Sequence, residues 1–378
     1  MEEERKLILT MVAEGKITPQ EADALLAVLE EEENQAGESP TNAAEAADKA
    51  GAGTDASGRR ADTDPGRPRS YAEQLLARLG LDKGTWMWGL PGRREVIRCH
   101  RRQAWSEASG VKIVNAKGDI AIDTWDEDAV EVDAELVIGG DLSDKARQAL
   151  HETGVTLEER DGALHVRAFD ATPYRAWGVR LAGADLRVRV PRLASVDVSS
   201  VHGDVDAHGD FQEVRAEAVH GDLELSGARG RLKASTRNGD IAVHRFEGSS
   251  LEVDSTHGDV SLSAAAATVR INTVRGDVDL DLRSCREVRL DTVSGDVEMK
   301  VQLEPGATCE VHTVRGDADV SLDVSGGMEV ALDATSGDLE CRLSLDQVQR
   351  SRRSLNGSRG DGATKVRLTS MHGDLTVR

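Results

Sequence analysis

Ten Gly-Asp pairs in one recurring frame are the residues of this chain whose type and spacing could do chemistry. They are Gly118-Asp119, Gly203-Asp204, Gly221-Asp222, Gly239-Asp240, Gly258-Asp259, Gly276-Asp277, Gly295-Asp296, Gly316-Asp317, Gly337-Asp338 and Gly373-Asp374. Aspartates stacked about 4.8 Å apart repel unless they are hydrogen-bonded or bridged by a cation. His202, His220, His257 and His372 precede the glycine in four of the pairs and could join such a metal row. Asn238, Arg275, Ser294, Arg315 and Ser336 occupy the same slot elsewhere, and the known calcium-binding nonapeptide repeats have a different period. The favoured reading is therefore turn aspartates bonded to nearby backbone N–H groups. Paired carboxylates about 5 to 9 Å apart would suit a glycosidase, but any stacked acid row meets that spacing. Sugar grooves also want aromatic platforms. The β region has only Trp105, Trp125, Trp177, Tyr174, Phe169, Phe211 and Phe246, none of them in the repeat frame. Arg-Gly-Asp occurs at Arg275–Asp277, Arg315–Asp317 and Arg359–Asp361. The first two follow from the repeat and the third reads as part of a loop. Cys99, Cys285, Cys309 and Cys341 show no metal spacing, and Cys341 reads as a reduced core residue. No catalytic residue, metal ligand or cofactor is assigned.

The elements that must position these pairs follow from the spacing. From Gly203 onward the glycines lie 18, 18, 19, 18, 19, 21, 21 and 36 residues apart, the last gap reading as two units of 18. Five residues before each glycine stands an apolar side chain or alanine (Val198, Ala216, Ala234, Val253, Ile271, Leu290, Val311, Leu332, Leu368), and three before stands a small one. Apolar residues follow two and four positions after. That alternation is the period of a strand with one buried face, and glycine permits the positive φ or close approach of a bend. Each unit reads as two short strands and a bend, too small to bury its own core, so units must stack. The expected fold is mainly β, a single-chain β-solenoid. The alternative is an elongated sandwich of hairpins. Ile113–Ile122 fits the same template, Ala129–Ile138 reads as a strand, Asp141–His151 as a short helix, and Ser344–Gly362 as an exposed loop.

The N-terminal quarter is different. Residues 1–33 read as a helical hairpin, with Leu7, Ile8, Met11 and Val12 on one face and Ala22, Leu25, Leu26 and Leu29 on the matching face. Thr18-Pro19-Gln20-Glu21 supplies a capping box that opens the second helix. Two helices this short need a partner, through self-association, another protein or the rest of the chain. Residues 34–92 read as an acidic, Gly/Ser/Pro-rich disordered linker with a short helix near 71–79. The β-repeat domain then spans 93–378. Trp86, Trp88, Arg93 and Arg94 form a Trp/Arg segment that could lie on an anionic membrane surface or, alternatively, close the first rung.

A net charge of −21 argues against nucleic acid as a partner, because phosphate binding needs a basic face. The acidic start is unlike a signal peptide and no apolar run suits a membrane span, so a cytoplasmic protein is expected, with peripheral contact at the inner membrane face as an extension of that reading.

The reiterated Thr/Ser-x-x-Gly-Asp-apolar line resembles a bacterial family of candidate adhesins, a β-strand-repeat domain of unknown function. Val111–Ile120 looks like its opening strand pair and Thr369–Leu375 like its closing rung. Met11–Ala22 is similar to the SHOCT-like oligomerisation hairpin often fused to it. The resemblance implies a link to cell-envelope stress and brings no catalytic residues. The expected function is a non-enzymatic scaffold or interaction protein, the alternatives being a surface-displayed adhesin exported non-classically and, last, a carbohydrate-active or metal-dependent β-helix enzyme.

Overall fold

The computed structural model describes residues 94–105, 110–139, 142–168 and 180–378. The hairpin residues Leu7 to Leu29 and the segment Trp86, Trp88 and Arg93 lie outside the described residues, whereas Arg94 opens the first strand.

The N-terminal part holds β1 (Arg94–Ala104), β2 (Gly110–Lys117), β3 (Ile120–Trp125), β4 (Ala129–Gly139), helix α1 (Asp144–Thr153), β5 (Val155–Arg160), β6 (Ala163–Ala168) and β7 (Arg180–Pro191). The helix starts later than the sequence suggests because Ser143 is its N-cap, accepting from the Ala146 N–H at 3.2 Å. Its apolar face, Ala146 and Leu150, is buried. The array continues through β8 (Ser195–His202), β9 (Val205–His220), β10 (Leu223–Asn238), β11 (Ile241–His257), β12 (Val260–Arg275), β13 (Val278–Ser294), β14 (Val297–Arg315) and β15 (Ala318–Val324). Then come β16 (Met328–Ser336), β17 (Leu339–Cys341), β18 (Gln347–Arg350), β19 (Ser354–Arg359), β20 (Thr364–His372) and β21 (Leu375–Val377).

Successive units pair in parallel and in register, which excludes the hairpin sandwich. Val205, Leu223, Ile241, Val260, Val278 and Val297 are register partners in one column, continued by Ala318, Leu375 and Leu339. Each unit is a single long strand, such as the 16 residues Val205–His220, folded at a second corner where the register shifts. The two short strands expected from the sequence are thus the two limbs of one strand. At that corner Phe211 pairs with Ala228 and Phe246 with Ala264, so large side chains sit beside small ones and fill the bend.

All nine apolar residues five positions before a glycine are completely buried, at 0 % exposure. Cys341, expected inside, is half-buried because its rung ends the stack.

Two features depart from the sequence reading. Residues 344–362 are not a plain loop: β18 and β19 form an antiparallel hairpin on β16 that buries Leu355. The last units are also stacked out of chain order. β20 pairs with β14 on one side and β16 on the other, while β21 lies between β15 and β17. The C-terminal rung therefore sits inside the array, and the rung of Gly337 lies beyond it. At the opposite end the direction reverses, with β1 antiparallel to β4 and β4 antiparallel to β7.

Candidate functional site

The Gly-Asp corner is the most regular feature of the array. Its glycines have φ between +115° and +149°, a region closed to L side chains. A Cβ on any of them would lie 2.0–2.2 Å from the carbonyl oxygen of the neighbouring rung. Conformation and packing both demand glycine.

The aspartates form a continuous ladder. The Asp204 N–H donates to Asp119 Oδ1 at 3.0 Å, Asp222 to Asp204 at 2.9 Å, and Asp240 to Asp222 at 2.8 Å. The row runs on through Asp259, Asp277, Asp296 and Asp317, at 2.8–2.9 Å each. It then passes to Asp374 (2.8 Å) and finally Asp338 (2.7 Å). At its start Asp119 N–H donates to Asp185 Oδ1 at 3.1 Å. Asp185 is a member the sequence reading missed, since Ala184 replaces the glycine; the following apolar Leu186 was the available signal. The bonds run between rungs rather than within a turn, which corrects the Asx-turn expectation. One carboxylate oxygen per rung, from Asp185 through Asp374, is thereby committed to the backbone of the next rung.

Behind the corner stand the small residues. Asn115 Nδ2 donates to the carbonyls of Gly118 and Ala184 (2.9 and 2.7 Å), and the Ser200 and Thr236 hydroxyls donate to glycine carbonyls at 3.3 Å. Beside it run the residues preceding glycine. His202 and His220 stack with ring centroids 4.8 Å apart, and Asn238 contacts His220 Nδ1 at 3.2 Å. Burial, then the neighbouring His220 and Lys117, holds the His202 pKa below the usual histidine value.

Among the described residues, one group of three His, Asp or Glu brings its ligand atoms within 4.8 Å of one another: His100, Glu131 and Asp133, away from the corner. Its charges are already matched. His100 Nδ1 lies 2.8 Å from Asp133, and Glu131 lies 3.1 Å from Arg189 and 4.0 Å from Arg102. Both arginines also lie over the Trp125 ring, at 5.3 and 5.7 Å. Two guanidinium groups here disfavour a cation.

An open cleft of about 410 Å³ lies where β2, β6 and β8 begin beside the second limb of β9, lined in part by Lys112, His165, Asp197 and Arg215. Lys112 is 3.6 Å from Asp197, and Arg215 is 2.6 Å from Glu217. Burial, then Lys112 and Arg167, lowers the His165 pKa. Its cations therefore already face anions. In the third Arg-Gly-Asp sequence, Arg359 donates to the carbonyls of Val324 and Gly326, both at 3.2 Å, which ties the guanidinium to the protein itself. Asp277 and Asp317 of the other two belong to the ladder.

These features define a parallel β-solenoid built on an aspartate-laddered glycine corner. The chain belongs to the Toastrack DUF4097 family, whose model matches residues 186–378. Residues 3–34 match a SHOCT-like domain. The match to the family begins at Leu186, and β2 and β3 join the same array by parallel pairing with β8 and β9. Among solved structures, a candidate lipid-binding protein of Parabacteroides distasonis is similar at 11 % identity and a TM-score of 0.43, covering 76 % of this chain and 98 % of that one. A candidate adhesin of Parabacteroides merdae is similar at 11 % and 0.43, covering 75 % and 96 %. A candidate adhesin of Bacteroides fragilis is similar at 11 % and 0.39, covering 75 % and 97 %. At such values the likeness carries no functional weight. No curated protein matches the chain.

Proposed function

We propose that this protein is a non-enzymatic scaffold, in which the solenoid is an ordered platform and the N-terminal SHOCT-like segment brings copies or partner proteins together. The observation that carries this reading is the ladder: the one chemical group repeated through the array spends an oxygen on the backbone of each neighbouring rung. A row so used supports shape rather than turnover. The outer face of the second limb agrees with this, because its charges answer one another locally, as in Lys233 with Glu252 (2.6 Å) and Arg289 with Asp291 (2.8 Å). The setting that fits is signalling at the inner face of the membrane during envelope stress, with no nucleic acid involved.

The test is cell fractionation of the full chain and of a version lacking residues 1–33, before and after envelope stress. Membrane recovery that depends on residues 1–33 is the expected result. Recovery without them would assign attachment to the Trp86–Arg94 segment or the array, and protein in the medium without lysis markers would favour a displayed adhesin. Wholly cytosolic protein would overturn the envelope setting.

A further inference from the structure

The order of the last rungs leaves a mechanical signature. β16 and β17 are laid down one rung beyond β14 and β15, so a slot one strand wide separates them until β20 and β21 fill it. The filling strand is bonded on both sides: Val311 and Leu332 are both register partners of Leu368, and Val320 and Cys341 both of Val377. Its inward residues Val366, Leu368, Leu375 and Val377 are buried in the common core. The slot cannot close without it, because β16 pairs only with β20 and the hairpin strand β19 among the described strands. The joint behind the filling strand is Gly360-Asp361-Gly362, where both glycines have positive φ (+63° and +66°) and Gly360 and Asp361 are exposed.

We propose that the C-terminal rung, residues 364–378, is exchangeable between two copies of this chain, each copy filling the slot of the other. Exchange of an identical element preserves every strand-to-strand bond and alters only the hinge, which makes it a low-cost route to a dimer. The inference concerns the C-terminal end of the array and does not depend on the N-terminal hairpin. Withdrawal leaves two unpaired strand edges, β14–β15 and β16–β17, so exchange is fastest while the chain is folding and a second copy is near.

His312 and Thr369 face one another across β14 and β20 and report which tail occupies the slot. Full-length His312→Cys and Thr369→Cys chains, both carrying Cys341→Ser, are mixed unfolded, refolded together and oxidised. The expected result is a disulfide-linked heterodimer on a non-reducing gel, increasing with protein concentration during refolding. A chain carrying both cysteines links within itself when refolded dilute and shifts to linked dimers when refolded concentrated. Absence of heterodimer while the double variant links internally would overturn the proposal, as would failure of the double variant to link at all. Equal linking of Ser261→Cys with Thr369→Cys, positions far apart in the stack, would attribute the dimer to random contact and overturn it too.

Discussion

The backbone N–H of Asp374 donates to Oδ1 of Asp317 at 2.8 Å, across 57 residues of chain, and Asp338, which comes earlier in the chain than Asp374, bonds to it from the far side. Chain order is broken at that point and the ladder is not. The register of the corner is therefore a property of the Gly-Asp pair itself: any strand that offers glycine with positive φ and an aspartate can occupy a rung.

Replacing Asp317 by alanine removes the acceptor for the Asp374 N–H, while asparagine keeps an oxygen in the same place. Asp317→Ala should cost about 1 kcal/mol, the net worth of a typical hydrogen bond, and Asp317→Asn much less. Urea midpoints of the two variants provide the comparison, and equal midpoints would remove the hydrogen bond from the account of stability.

Glycine at the corner is required twice over, and the two requirements can be separated. Gly276→Ala sets a Cβ 2.1 Å from the Gly258 carbonyl oxygen, whereas Gly326, with φ +123°, has nothing within 4 Å of its Cβ position. Gly326→Ala should cost about 1–3 kcal/mol from backbone strain alone. Gly276→Ala adds the clash and should exceed about 4 kcal/mol or prevent folding. Thermal unfolding of the pair decides the matter.

What the sequence made legible was local. Alternation told which side chains face inward: Val198, Ile271 and Leu368 were all read as core, and all are buried. Periodicity also located the ten Gly-Asp corners, but not the positive-φ glycines of the second corner such as Gly209 and Gly227. It could not tell which strand lies next to which, because each rung offers the same apolar columns and the same corner to any other. The 36-residue gap before Gly373 therefore read as two successive units, where the chain instead steps past a rung and returns. For the same reason the N–H donor to each aspartate carboxylate was sought within its own turn, although the bond spans rungs. The hairpin β18–β19 was hidden by its Arg/Ser/Gly composition, in which Leu355 is the one buried apolar anchor.

The His202–His220 stack gives the corner a pH response. Because the folded pKa of His202 lies below the unfolded value, its contribution to stability is complete above the ordinary histidine pKa and is lost as pH falls from there toward the folded value. His220→Asn places in the column a residue that Asn238 already shows to be accepted, and it removes the adjacent charge. The His202 pKa should then rise, by NMR titration of the imidazole, without reaching the ordinary value, since burial is the larger cause.

The cysteines should report opening of the array. Burial pushes Cys285 up to about 11 and Cys309 up to about 12, and raises Cys99. All three should resist a thiol reagent at neutral pH until the protein unfolds, while half-buried Cys341 reacts first. One fast and three slow modifications, counted by mass spectrometry, are expected, and rapid modification of Cys309 would contradict the burial.

Parallel, in-register strands with like residues stacked on like are also the arrangement by which amyloid fibres recruit one chain after another. Here the same stacking is built from units of one polypeptide and, among the described strands, gives way to antiparallel pairing at both ends. β1 and β4 run antiparallel at one end, and the β18–β19 hairpin runs antiparallel at the other. Beside that hairpin, β17 offers an incoming strand three residues, and Arg350 already donates to the Leu339 carbonyl. Among the described strands, the outermost ones thus depart from the parallel, in-register direction that such recruitment follows.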